Sequence, residues 1–169
     1  MQIEQFLEKL PKNYTPLDLD QVKKAFHMAE IAHKGQTLHS GLPYVNHCIA
    51  VAVILAELAF PPELVIAGLL HDVIEYSDIT LDQIRKEFNN EVADLVDGVT
   101  KLTQLPNLLK ADQRVVSALQ LKDPSQHRKI RDDEIVEALR KTFLAMSEDA
   151  RVVLVKLADR LHCMRHLSH

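Results

Sequence analysis

The sequence predicts an all-α protein, and three observations carry that prediction. Apolar residues recur at three- and four-residue steps through most of the 169 residues. There are only 4 Gly and no Trp, which argues against a β-sandwich or barrel with many tight turns. Apolar residues make up 47% of the chain, so a core is assured. A chain of this length is expected to form one domain over 1–169, burying roughly two-thirds of its unfolded surface without a disulfide.

The elements follow in order. Ile3, Phe6, Leu7 and Leu10 predict a short first helix stopped by Pro11. Val22, Phe26, Ala29 and Ala32 carry the period through a second helix, from about Asp18 to His33. Gly35, Ser40-Gly41 and Pro43-Tyr44 make the stretch from Gly35 to Asn46 a loop. A third helix runs from about His47 to Leu58. Pro61-Pro62-Glu63 opens the fourth, since proline in a first turn forfeits no helical hydrogen bond. That helix is expected to carry Leu69, Leu70, His71, Asp72 and Glu75.

Thr80-Leu81-Asp82-Gln83 reads as a capping box that opens a helix to about Phe88. Asn90 is expected to cap the next, which ends near Gly98. Residues 103–126 are the least regular. Leu102, Leu105, Leu108 and Leu109 suggest a helix interrupted by Pro106, and Pro124 breaks the chain again. A long amphipathic helix resumes from about His127 or Asp132 to Met146, and the last helix runs from about Glu148 to Leu167. Val152-Val153-Leu154-Val155 looks like a strand, but Leu154, Leu157, Ala158, Leu161 and Met164 keep the helical period and predict a buried helix.

A net charge of -4 argues against a large nucleic-acid surface and leaves room for a small phosphorylated substrate. Cys48 and Cys163 form no CxxC pair and are expected as buried thiols in a reducing, cytoplasmic setting. The N-terminus shows no secretory signal. The longest apolar run, Cys48 to Ala56, is too short to span a bilayer, so no membrane partner is expected.

The adjacent pair His71-Asp72, with His47 upstream and Asp159 far downstream, supplies two imidazoles and two carboxylates. A divalent metal favours that mixture, which leaves coordination positions open for water and a phosphate oxygen. A His-Asp dipeptide alone is a weak signal. Here His71-Asp72 follows the apolar run Ile66 to Leu70, and Asp159 follows Val152 to Ala158. Carboxylates at the edge of apolar runs need partners, because burying them alone is costly. Glu75 falls about one helical turn from the pair, in reach to activate water or deliver a proton.

The chain resembles the N-terminal hydrolase domain of the RelA/SpoT homologue proteins. The resemblance rests on Ala32-His33-Lys34-Gly35-Gln36, on Ser40-Gly41-Leu42-Pro43-Tyr44 with His47, and on Leu69-Leu70-His71-Asp72-Val73-Ile74-Glu75. It continues in Phe88-Asn89-Asn90-Glu91-Val92, in Val96 to Leu102, and in Val152 to His162, so that about 20–167 is covered. It implies an HD-domain phosphohydrolase-like helical bundle holding one Mn2+ through His47, His71, Asp72 and Asp159. The implied activity removes the 3'-pyrophosphate of (p)ppGpp, by water attack at the phosphorus bonded to the ribose 3'-oxygen, and releases GDP or GTP. A synthetase and regulatory domains are expected downstream, with this chain as an N-terminal piece.

The departures lie in the substrate shell. The family's Glu-Asp after the His-Asp pair is Glu75-Tyr76 here, and a phenol stays protonated at neutral pH. Two basic residues before Ser40 are replaced by Leu38 and His39, an Asn by Cys163, and a Thr by His166. His39, Ser40, Cys163 and His166 are therefore the candidate substrate contacts, with His39 and His166 able to meet phosphate when protonated. Three readings stay open: slow alarmone hydrolysis, hydrolysis of another phosphorylated nucleotide, and a regulatory domain that has kept the metal and lost turnover. The stretch from about 105 to 131 reads as an insertion.

Overall fold

The structure, a computed structural model, describes residues 2–38, 40–103 and 149–167, with the side chains at 166 and 167 outside that description. The chain divides into two compact units, one formed by residues up to Thr100 together with those from Arg151, the other by the intervening residues. The expected insertion at 105–131 and the expected helix from His127 or Asp132 to Met146 lie outside the described residues.

The described helices are α1 (Ile3–Leu7), α2 (Pro16–Ala32), α3 (Val45–Glu57), α4 (Pro62–Leu70), α5 (Val73–Tyr76), α6 (Leu81–Glu87), a helix over 90–103 (α7) and α8 (Arg151–Leu167). The described residues are helical with no strand; an isolated bridge joins Thr37 to Pro43. No helix among them is long and apolar enough to cross a membrane.

Helix α4 is the central element of the first unit. Every residue from Leu64 to Leu70 is buried, as befits a helix that is apolar all round. It packs on α3, α2 and α8. Val22, Phe26 and Ala29 of α2, Ile49, Ala52 and Leu55 of α3, and Val152, Val155 and Ala158 of α8 complete the core. Glycine lets two of these crossings come close. A Cβ at Gly68 would lie 2.7 Å from Leu55 Cδ1, and one at Gly98 would lie 2.6 Å from Val152 Cγ2. A salt bridge from Arg151 to Glu91 joins the start of α8 to α7.

Several boundaries differ from the sequence expectation. Helix α2 starts earlier, at Pro16, because Thr15 and Asp18 form a capping box: Thr15 Oγ1 accepts from Asp18 N, and the Asp18 carboxylate accepts from Thr15 N. The cap of α7 is Asn89 and not Asn90, since Asn89 Oδ1 accepts from Val92 N at 2.8 Å. That helix also runs past Gly98, which is tolerated where a close crossing needs it. The Thr80 box forms as expected, with Gln83 N donating to Thr80 Oγ1 and Thr80 N to Gln83 Oε1.

Two corrections matter more. The expected single helix from Pro62 through Glu75 is broken at His71-Asp72. His71 Nδ1 donates to Gly68 O at 2.9 Å, competing for the carbonyl that an unbroken helix would give to the amide four residues on. Asp72 then caps α5, and its carbonyl accepts from Glu75 N and Tyr76 N. In α8 the helix is as expected and Ala158 is buried, but most of the expected stripe is not. Leu157, Leu161 and Met164 are exposed, while Val152, Val155, Ala158 and His162 turn inward.

Candidate metal centre

The centre forms where three helices end or cross. His47 stands in the first turn of α3, His71 and Asp72 in the break between α4 and α5, and Asp159 in the middle of α8. Loop closure sets the entry to α3: Leu38 N donates to Leu42 O, and Tyr44 N to Gln36 O. The apolar rows of α3, α4 and α8 bury their own stripes and so bring the four polar residues together at one point.

The distances are short. His47 Nε2 lies 3.3 Å from Asp159 Oδ1 and 3.8 Å from Asp72 Oδ2, and His71 Nε2 lies 3.1 Å from Asp72 Oδ2. Ligand atoms of His47, His71 and Asp159 all fall within 4.8 Å of one another. His47, His71 and Asp72 are buried, and the Asp159 side chain is 13% exposed.

Burial resists charge on both members of the His71–Asp72 pair, and their mutual attraction outweighs it. The His71 pKa is raised above its ordinary value, and the Asp72 carboxyl is pulled down to about 2. The Asp159 carboxyl is likewise held well below the usual range: burial opposes the charge, and His47 and Lys156 overcome it.

The donor set fits a divalent cation, and one atom shows it most clearly. His71 donates its Nδ1 proton to Gly68 O, so in its neutral form the ring presents a lone pair at Nε2. That nitrogen is buried and makes no hydrogen bond, although a carboxylate oxygen lies beside it. A lone pair facing carboxylates in a buried pocket is satisfied by a cation between them.

Each of these side chains is held from behind. The Tyr44 hydroxyl donates to Asp72 Oδ2 at 2.7 Å. Lys156 Nζ donates to Asp159 Oδ2 at 2.7 Å, leaving Oδ1 for the centre, and Cys163 Sγ approaches that Oδ1 at 3.4 Å. His47 Nδ1 lies 2.7 Å from His162 Nδ1. Sequence reasoning did not single out Tyr44, Lys156 or His162. All three fall in segments that carry the family resemblance, and the one-turn spacing of Lys156, Asp159 and His162 could have placed them together.

The remaining candidates divide. Glu75 is partly buried in α5, and burial together with the Asp72 charge raises its pKa. Tyr76 follows it, half exposed, its ring 5.4 Å from that of Tyr44 and its carbonyl accepting from Gln36 Nε2 at 2.7 Å. Ser40 is exposed in the turn before Gly41. Cys163 is partly buried and touches Asp159, while Cys48 is the fully buried thiol. His39 and the side chain of His166 lie outside the described residues.

The chain is similar to several known proteins. The chain is 39% identical over 171 residues to the bifunctional (p)ppGpp synthase/hydrolase SpoT of Escherichia coli, a match that covers 99% of this chain and 21% of that protein. It is 40% identical over 152 residues to a GTP pyrophosphokinase of Myxococcus xanthus, covering 90% and 18% respectively. The chain thus spans about a fifth of the length of these relatives. In fold it is similar to a metazoan ortholog of SpoT that hydrolyses ppGpp, with a TM-score of 0.58 at 23% identity over 94% of this chain and 74% of that one. Residues 25–169 match the family described as HD domain. With that match spanning most of its length, the chain belongs to the HD domain family and is a RelA/SpoT homologue within it.

Proposed function

We propose that this chain is a metal-dependent pyrophosphohydrolase that removes the 3'-pyrophosphate of ppGpp or pppGpp. The observation that carries the reading is the convergence of His47, His71, Asp72 and Asp159 around Nε2 of His71, a buried nitrogen that makes no hydrogen bond. Those four would hold one divalent ion, Mn2+ in this reading. When bound, the ion supplies a Lewis acid for the phosphoryl group and lowers the pKa of water.

The chain's own residues do the rest. Glu75, with a raised pKa and a partly exposed side chain, accepts the proton of the attacking water. Water oxygen bonds to the phosphorus attached to the ribose 3'-oxygen, that P–O bond breaks, and the 3'-oxygen takes up a proton. GDP or GTP and pyrophosphate leave. Tyr76 cannot relay that proton as a carboxylate would, since burial and the Asp72 charge raise its pKa further. In this reading His39, Ser40, Cys163 and His166 line the substrate.

The direct test is pyrophosphate release from ppGpp with and without Mn2+, with Asp72→Ala as control. Release that needs Mn2+ and vanishes in the variant supports the reading. Protein that binds Mn2+ but releases nothing favours a regulatory nucleotide-binding domain, which Tyr76 in the acid position already suggests.

A further inference from the structure

His162 sits on α8, 7% exposed, three residues beyond Asp159. Its Nδ1 lies 2.7 Å from Nδ1 of His47, with ring centroids 4.8 Å apart. Two imidazole nitrogens at that separation share one proton, so one donates and the other accepts. The far nitrogen of His47 faces Asp159 Oδ1 at 3.3 Å. One turn of α8 therefore engages both nitrogens of His47, Asp159 at Nε2 and His162 at Nδ1.

The consequence follows from tautomer chemistry. A neutral His47 can offer a lone pair at Nε2 only when its proton is on Nδ1. His162 Nδ1 is the acceptor that keeps it there. His71 receives the same service from the Gly68 carbonyl, a backbone group that no side-chain substitution removes. The two histidines are thus oriented by different means, and His47 depends on a side chain.

We infer that His162 is a positioning residue that fixes the tautomer and ring orientation of His47, and thereby sets the affinity of the centre for a divalent cation. This rests on the metal-dependent reading above. Partners of this kind contribute roughly 10–100-fold in metal affinity.

The test is Mn2+ titration of the whole chain followed by the electron paramagnetic resonance of free Mn2+, with the visible spectrum of the Co2+ form reporting the ligand set. Wild type is compared with His162→Leu, His162→Asn and His162→Gln, and melting of each metal-free protein confirms folding. The amide of Asn places a polar atom where Nδ1 stands, while that of Gln places it where Nε2 stands. Asn is expected to bind Mn2+ near the wild-type level with an unchanged Co2+ spectrum. Leu and Gln are expected to bind roughly 10–100-fold more weakly. If Leu does not fold, the contrast between Asn and Gln carries the same information. Equal affinity in all variants, or Asn as weak as Gln, overturns the inference. A wild type that takes up no Mn2+ overturns the metal-dependent reading itself.

Discussion

At the scale of residues, the centre depends on hydrogen bonds that cross long stretches of chain. Tyr44 reaches Asp72 across 28 residues, and its part-buried hydroxyl aims that carboxylate and adds to the hold of His71 on its charge. Tyr44→Phe removes the donor and keeps the ring, so Mn2+ affinity is expected to fall roughly tenfold with melting little changed. Calorimetric titration decides it, and an unaltered affinity would show the bond to be idle. Tyr76 gives a prediction of opposite sign. Tyr76→Asp restores a second carboxylate beside Glu75, and kcat is expected to rise roughly 10²-fold or more. No rise would place the limit in the nucleotide contacts instead. Asp72 and Asp159 stood out in the sequence because carboxylates closing apolar runs demand partners. The supporting residues were less legible: His162 and His47 are 115 residues apart, and nothing in local sequence pairs them.

At the scale of elements, the apolar period revealed which segments are helices, because burial of one face is what makes a short helix stable. It did not reveal the break at His71-Asp72, where a ring nitrogen takes a backbone carbonyl. Nor did it reveal which face of α8 turns inward. That helix has a leucine stripe and a valine-alanine stripe, and the small residues went to the core because α3 and α4 lie close. The same closeness makes Gly68→Ala costly. The new methyl meets Leu55 Cδ1 and comes within 3.4 Å of Ala52 Cα, so a loss of about 1–3 kcal/mol is expected by denaturant titration. Ala59, which follows α3 at φ 55°, offers the reverse. Ala59→Gly relieves a left-handed residue and is expected to add roughly 1 kcal/mol.

At the scale of the folded unit, the same buried charges set how stability varies with pH. The His71 pKa is raised above its ordinary 6.5, so its contribution is complete below that value and is lost as pH rises through the raised one. The Asp72 pKa is lowered to about 2 from an ordinary 3.8, so its contribution is complete above the ordinary value and is lost as pH falls toward 2. Both describe one attraction seen from its two ends. Metal-free protein is therefore expected to melt highest at roughly pH 5–6. Ligation needs neutral imidazole, so Mn2+ should move that maximum toward higher pH. Melts across the pH range, with chelator and with Mn2+, check both statements. A chelated protein that keeps gaining stability above neutral pH would contradict the first.

The continuous burial of α4 up to the break at His71 has a consequence for motion. Amides such as those of Leu69 and Leu70 can exchange with deuterium only when the whole unit opens, whereas those of Leu38 and Gly41 exchange through local excursions of their loop. The His71 end of α4, with its candidate ligands, is then as rigid as the fold itself. In the proposed reading, adaptation to a differently shaped nucleotide falls to the loop that carries Ser40, where exposed residues can be substituted while the core stays untouched.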